Sequence, residues 1–401
     1  MEKYLVINGG SSSLKFSLYE MPSEKIISKG YIEKIGSEDS FWNISYNDTK
    51  ISGAKYLKDH SAAVRVMIDE LVSNKIIGSM DEICGVGHRV LHGGELYSES
   101  VLINDKVLKD IEDLTVLGPL HHPGEIAGIK AMMEVLSGVK QIAVFDTAFH
   151  QTMPRENYIY AVPYDWYKKY SVRRYGFHGT SHKYITESMK KKLGKENVNL
   201  IICHVGSGAS ITCVKEGKSF DTSMGLTPLD GLVMGTRSGA IDPSIIKFVV
   251  DQSGMSLDEV TNDLNKASGL KGLCGKNDFR DVVALKSNND DSACLAYDVF
   301  MDSIIKHIAE YYFELEGSVD AVIFTAGVLE NNVILREDII NKLSKTMGVK
   351  INKESNNNIG YGHDFKEGII TTDDSKVMVM VMPTDEEVMI VRDTYRIINE
   401  K

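Results

Sequence analysis

The sequence predicts an α/β protein of two domains built on one plan. Three observations carry this. Strand-like and helix-like patterns interleave along the chain, as in layered α/β architectures. The 401 residues suggest two or three domains, at about 150 residues each. A segment near the N-terminus, LVINGGSSSLKFSLYE, has a counterpart roughly half a chain later, LIICHVGSGASITCVKEG. Each runs from an apolar strand through a polar residue, Asn8 or His204, to x-Gly-Ser and a second apolar strand.

Apolar runs of strand length lie at 4–7, 14–19, 26–35, 141–145, 200–205, 209–214, 322–324 and 377–382. Apolar residues at helical spacing mark 62–77, 125–136, 181–193, 243–250, 292–315 and 385–399. Thr180-Ser181 offers a helix N-cap, and Asp242-Pro243 offers a cap followed by proline at the first helical position. No low-complexity linker separates the halves. The expected division is 1–148, completed by a C-terminal helix at 385–401, and 149–384.

Composition excludes several classes of function. Hydrophobic residues at 43% and charged residues at 25% are ordinary for a soluble globular protein. A net charge of -11 argues against a nucleic-acid-binding surface. Lys190-Lys191-Lys192 reads as a solvated helix face. The five cysteines are scattered with no CxxC pair. That argues against a zinc ribbon or disulfide framework and fits a reducing compartment. The chain opens on a strand with no basic and apolar leader. No apolar run reaches the roughly 20 residues needed to span a bilayer. A cytoplasmic protein is expected.

The two glycine-serine turns suit anions. Glycine permits positive φ and close approach of a ligand, and successive backbone N–H groups make an anion-binding nest. Serine hydroxyls add donors and Lys15 adds charge. Two commoner phosphate motifs fail. Gly275-Lys276 is followed by Asn277 where a Walker loop needs Ser or Thr, and Gly269 is one position off. Gly206-x-Gly208 has Ile211 where a dinucleotide fingerprint needs a third glycine, and it runs into a strand. A hairpin-type phosphate site remains, duplicated across two domains.

Other motifs add charge. VGHRVLHGGE places Arg89 beside glycines, and GLVMGTRSGAIDP does the same for Arg237. A guanidinium is a planar fork that matches carboxylate and phosphate, although a surface ion pair would explain either residue equally well. Asp146 ends a strand, a place suited to chemistry in an α/β layer, or to capping a helix. His178 and His182 are spaced like a metal-binding pair, but no Glu follows the first, so a histidine donor to a phosphoryl group is the better functional reading. Glu386 and Glu387 open the last helix, where they complement its dipole or help hold Mg²⁺ through water.

Nine segments together resemble the acetate and propionate kinase family. They are INGGSSSLKF, GHRVLHGGE, VFDTAFHQTMP, RRYGFHGTSH, CHVGSGAS, DTSMGLTPLDGLVMGTRSGAIDP, DFRD, FTAGVLEN and PTDEE, in that order across almost the whole chain. The resemblance implies two actin-like (ribonuclease H-like) domains with ATP in a cleft between them, a homodimer, and reversible γ-phosphoryl transfer to acetate. It implies that Ser11, Ser13 and Lys15 meet the phosphates, with Asn8 and Glu386 near Mg²⁺, or Mn²⁺ in its place. Arg89 and Arg237 would bind carboxylate and phosphoryl oxygens. Asp146 would position or polarise the reacting acid, and His178 would hydrogen-bond the transferring group, with His204 beside the phosphate path. Leu91, Leu120, Phe177 and Pro228 would surround the acyl chain. Gly206, Ser207, Gly208, Asp278, Phe279, Arg280, Gly327 and Asn331 would bind nucleotide.

The chain departs from the family pattern at Ser207, where asparagine is usual, at Leu329, where glycine is usual, and at His122, where asparagine is usual. Bulk at Leu329 beside the nucleotide would alter base selectivity or admit a smaller donor such as pyrophosphate. Leu91 in place of valine favours acetate over propionate, by the roughly 1–3 kcal/mol one methylene supplies. The non-enzyme reading is an actin- or chaperone-like ATP-dependent module.

Overall fold

The computed structural model describes residues 2–360 and 366–400. The ends of the expected first domain, Met1 and Lys401, lie outside them. The chain divides into two compact units, Met1–Phe149 with Asp385–Lys401, and His150–Thr384.

Among the described residues, the first unit has one sheet of eight strands. They are β1 (Glu2–Gly9), β2 (Ser13–Met21), β3 (Lys25–Glu33), β4 (Phe41–Tyr46), β5 (Thr49–Ala54), β6 (Ile83–Val90), β7 (Val101–Leu102) and β8 (Lys140–Phe145), in the order β5-β4-β3-β2-β1-β6-β8-β7. β1 pairs antiparallel with β2 and parallel with β6, so it is central, and Tyr4, Leu5, Val6 and Ile7 are all buried. A strand covered on both faces needs such an unbroken apolar run. One core joins Leu5, Leu14 and Leu18 to Val64, Met67 and Leu71 of the His60–Ser73 helix and to Met132 of the His122–Val135 helix. Each fully buried apolar side chain there contributes about 1.5–3 kcal/mol.

The sequence pattern does not announce β4, β5 or β6. β4 and β5 form a hairpin through Asn47-Asp48, both left-handed at φ 43° and 61°, as a two-residue hairpin turn requires. β6, ICGVGHRV, carries two glycines that normally weaken a strand. Here they let a helix lie close. A Cβ at Gly85 would stand 2.2 Å from Ile398 Cδ1, and one at Gly87 2.3 Å from Thr394 Oγ1. Both partners belong to the C-terminal helix, Glu386–Asn399, which packs on β1, β6 and β8.

The second unit has β9 (Leu200–Val205), β10 (Ala209–Lys215), β11 (Lys218–Thr222), β12 (Ala321–Thr325), β13 (Gly368–Ile369) and β14 (Met378–Val381), in the order β11-β10-β9-β12-β14-β13 among the described residues. The series β3-β2-β1-β6-β8 of the first unit recurs here as β11-β10-β9-β12-β14. At each step the sense is the same: antiparallel twice, then parallel twice. The repeat seen in the two hairpins extends through both sheets.

Two caps differ from expectation. The Gly179–Leu193 helix is entered from His178, left-handed at φ 57°, so Thr180 and Ser181 sit inside its first turn. The next cap moves by one residue: Pro243 is the N-cap of the Ser244–Ser253 helix, and Asp242 Oδ1 accepts from Ser244 N at 2.8 Å. Among the described residues, no helix is long and apolar enough to cross a membrane.

Candidate active site

The sequence-predicted residues fall into two half-sites, one in each unit. In the first, the β1–β2 turn closes with Gly10 N donating to Ser13 O at 2.8 Å. Neither Gly9 nor Gly10 has positive φ. Their small size serves close packing instead. A Cβ at Gly9 would lie 2.9 Å from Gly124 O, and one at Gly124 would lie 2.3 Å from Gly10 C. The hairpin thus rests, backbone on backbone, against the start of the His122–Val135 helix. Ser11 and Lys15 are exposed, and Ser13 is half-buried.

Arg89 leaves the C-terminal end of β6, and Asp146 follows the end of the neighbouring β8. Arg89 Nε and Nη2 both donate to Asp146, Nη2 at 2.6 Å to Oδ2 and Nε at 3.1 and 3.2 Å. The Asp146 side chain is 1% exposed and that of Arg89 is 27% exposed. Both carboxylate oxygens of Asp146 are therefore taken up by Arg89. Asp146, expected to position or polarise the reacting acid, is thus paired with Arg89. Arg89 Nη1 has no hydrogen-bond partner among the described residues.

Two further carboxyls stand near this pair. Glu125, which sequence reasoning missed, is buried, accepts from Leu91 N at 3.1 Å, and is pushed up to about 8 by burial. Glu386 is raised by burial, then lowered in part by the Arg89 charge. The guanidinium itself is raised, chiefly by Asp146. Glu387 is occupied by the fold: it accepts from Ser17 Oγ at 2.8 Å and pairs with Lys29 at 2.8 Å. Of the expected acyl-pocket residues in this unit, Leu91 is buried beside Gly118, whereas Leu120 is 71% exposed.

The second half-site surrounds the β9–β10 turn, where Gly206 N donates to Gly208 O at 3.0 Å. Gly206 and Gly208 also lack positive φ. A Cβ at Gly208 would lie 3.3 Å from His178 Nε2 and 3.6 Å from Arg237 Nη1. The missing side chain thus keeps an imidazole and a guanidinium against the turn. Arg237 Nη1 donates to Pro228 O at 3.2 Å, and Arg237 makes no ion pair among the described residues. Burial, the sole cause, lowers it below the usual arginine value. Pro228 meets the site through its carbonyl, and Phe177 is buried in the core.

Behind His178 lies a buried histidine cluster. His178 stacks on His204 with ring centroids 4.2 Å apart. His204 Nδ1 lies 2.8 Å from Ser181 Oγ, which is also 2.7 Å from Thr384 Oγ1. His178 Nδ1 and His182 Nε2 are each 2.9 Å from Ser210 Oγ. Both nitrogens thus face a hydroxyl.

A cavity of about 710 Å³ opens beside the same turn, lined by Gly206, Ser207, Asp278, Phe279, Arg280 and Gly327, among others including Asn331. Phe279 is buried against Tyr297 and Phe300 and forms a wall. Asp278 caps the Phe279–Ser287 helix and pairs with Arg280 at 2.5 Å, which lowers its carboxyl to about 2. A Cβ at Gly327 would meet open space. Asn331 Nδ2 turns back to Gly327 O at 2.8 Å. Leu329 is fully buried and outside this lining, which corrects the expected bulk at the nucleotide. Buried Arg336 fixes the segment by donating from Nη1 to Leu329 O and Glu330 O at 2.9 and 2.6 Å.

The sequence model of the Acetokinase family matches residues 3–392. An acetate kinase of Bacillus cytotoxicus is 51% identical over 402 residues, covering 100% of both chains. The crystal structure of an acetate kinase from Porphyromonas gingivalis superposes with a TM-score of 0.94 at 39% identity, covering 100% of both chains. A propionate kinase structure from Francisella tularensis gives 0.91 at 42% identity, covering 99% of this chain and 100% of the other.

Proposed function

The chain belongs to the acetokinase family, and we propose that its reaction, the ATP-dependent phosphorylation of acetate, is a direct in-line transfer organised by Arg237, His178 and Arg89. It is a phosphotransferase of the two-domain actin-like fold. An acetate oxygen bonds to the γ-phosphorus as the bond to the β-phosphate oxygen breaks, and ADP leaves with that electron pair. A carboxylate carries no proton at neutral pH, so no general base is needed. The difficulty is that two anions must meet, and positioning and charge neutralisation supply the catalysis.

One observation carries the reading. Arg237 is a half-buried cation without a counter-ion among the described residues, held with His178 against the glycine turn of the nucleotide-sized cavity. A buried unpaired charge is costly, and a phosphoryl group would complete it. The cavity's size and its Phe279 wall favour a nucleotide over pyrophosphate. The γ-phosphoryl then lies at Gly208, where His178 donates to an oxygen and Arg237 neutralises another. His204 supports the His178 ring by stacking. Ser11, Ser13, Lys15 and Ser207 supply donors and charge along the phosphates, and Asp278, Arg280 and Asn331 line the nucleotide.

Arg89 presents its Nη1 edge to the carboxylate and transferring oxygens, while Asp146 holds the other edge. Leu91, Leu120, Phe177 and Pro228 border the acyl group. Asn8 and Glu386 would offer hard oxygen donors to a hydrated Mg²⁺, or Mn²⁺. When bound, such an ion offsets charge on the polyphosphate.

We propose a homodimer as well. The Tyr164–Tyr170 and Ser244–Ser253 helices bury none of their residues and expose Trp166, Tyr170 and Phe248. All five thiols are free, in keeping with a cytoplasmic setting.

A hydroxamate assay tests the reaction. With acetate, Mg²⁺ and ATP, acyl hydroxamate accumulates, and pyrophosphate in place of ATP yields none. Propionate gives a lower kcat/KM. Absence of hydroxamate with ATP and any short acid would reject the reading.

A further inference from the structure

We propose that Ser210 and His182 form a proton-ordering relay that locks His178 in its Nε2–H tautomer, so that a donor always faces the phosphoryl group. This rests on the placement of His178 at that group in the reading above.

The ordering starts at the buried end. His182 and Ser210 are both fully buried. His182 Nδ1 has no hydrogen-bond partner, whereas its Nε2 lies 2.9 Å from Ser210 Oγ. Burial holds this ring well below the usual histidine range, so it is neutral and carries one proton. A proton on Nδ1 would be a buried donor with nothing to donate to. Orphaned buried N–H groups are rarer than under-satisfied acceptors. The proton therefore sits on Nε2, and His182 donates to Ser210.

The rest follows from hydroxyl chemistry. A serine hydroxyl has a single proton to give. With His182 donating into its oxygen, Ser210 directs its own proton to the other close nitrogen, Nδ1 of His178, at 2.9 Å. Nδ1 is then an acceptor, and in the neutral form of His178 the one ring proton belongs on Nε2. That nitrogen is the one lying against Gly208 and, across the same turn, Arg237. Without the relay, the two tautomers of His178 would exchange freely, and one would turn a lone pair toward an anion.

The backbone supports the same orientation. His178 is left-handed at φ 57°, a conformation that a non-glycine residue adopts only when its surroundings hold it. His182 N donates to His178 O at 3.0 Å, so the turn that carries one ring also fixes the other. Ser210 sits opposite His204 in the β9–β10 ladder, which sets its depth behind the site. His182 and Ser210 are positioning residues. They act on the transferring group through His178.

The direct test is the proton position. In ¹⁵N-histidine-labelled enzyme, with the His178 signals assigned by their loss in His178→Ala, long-range ¹H–¹⁵N spectra should show His178 protonated on Nε2 and His182 on Nε2. A proton on Nδ1 of His178 overturns the relay, and this readout needs no folded variant of Ser210. Ser210→Ala should populate both His178 tautomers and lower kcat by about 10- to 100-fold, with KM for ATP and acetate nearly unchanged. Ser210→Thr keeps the hydroxyl and should restore most of that loss. Wild-type kcat and a single Nε2–H tautomer in Ser210→Ala would overturn the relay. His178→Ala separates the two ideas. If it keeps full turnover, the placement of His178 at the phosphoryl group fails. If it is inactive while Ser210→Ala behaves as wild type, the relay alone fails.

Discussion

The two half-sites use arginine in opposite ways. Arg89 of the first unit is clamped on one edge by buried Asp146, with the carboxyls of Glu125 and Glu386 acting on it as well. Arg237 of the second unit has a carbonyl and a methionine sulfur for company and no carboxylate among the described residues. Arg89 ends a strand of the duplicated plan, whereas Arg237 lies in an irregular segment outside the sheet. An arginine already paired is rigid and keeps one edge for a ligand. One without a carboxylate is incomplete until an anion arrives. One half-site is thus built to orient, and the other to capture.

The sharpest way to break this contrast is to remove each guanidinium. Arg237→Ala and Arg89→Ala should each lower kcat/KM by about 10³-fold or more. Their stabilities should part company. Arg89→Ala leaves Asp146 buried and uncompensated and should cost about 3 kcal/mol in denaturant unfolding. Arg237→Ala strands no acid and should stay within about 1 kcal/mol of wild type. Equal destabilisation would erase the distinction.

Asp146→Asn sharpens it further. The shape survives, but the charge clamp on Arg89 goes, and kcat/KM should fall by about 10²-fold through loose positioning. Wild-type kinetics would show that the clamp is unnecessary. Glu386→Gln should raise the Mg²⁺ concentration needed for half-maximal rate by about 10- to 100-fold, read from a metal titration of turnover. An unchanged titration would move the cation elsewhere.

The smallest effect concerns Glu125. Its carboxyl is raised to about 8 when folded, above its unfolded value near 4.5. The folded state then binds the proton more tightly. This contribution to stability is full below about pH 4.5 and is lost as pH rises toward 8. Glu125→Gln should flatten the fall in unfolding free energy over that window. The same slope in wild type and variant would show that Glu125 titrates normally.

Much of this is legible in sequence because it is local. Apolar runs flanking Gly-Ser turns mark β1–β2 and β9–β10, and the nine motifs mark the site. What the sequence hides depends on distant neighbours. β6 reads poorly because Gly85 and Gly87 are shaped by a helix some three hundred residues away in the chain. Leu329 reads as bulk in the cleft, yet the turn held by Arg336 points it into the core and leaves Gly327 facing open space. Glu125 and Ser210 carry no signal of their own, and His182 carries only a spacing to His178 that suggests a different role. Their importance comes from burial and from the groups that folding sets beside them. The turn glycines read as conformational devices, and in the fold they act as spacers.

The central claim is that acetate attacks phosphorus directly, with no enzyme carboxylate as intermediate acceptor. Asp146 has both oxygens committed to Arg89, which leaves it poorly placed to receive a phosphoryl group. The most direct measurement is the stereochemistry of transfer from ATP made chiral at the γ-phosphorus with oxygen isotopes. A single in-line displacement predicts acetyl phosphate with inverted configuration. Retained configuration would mean two displacements through a phosphorylated side chain and would contradict direct transfer.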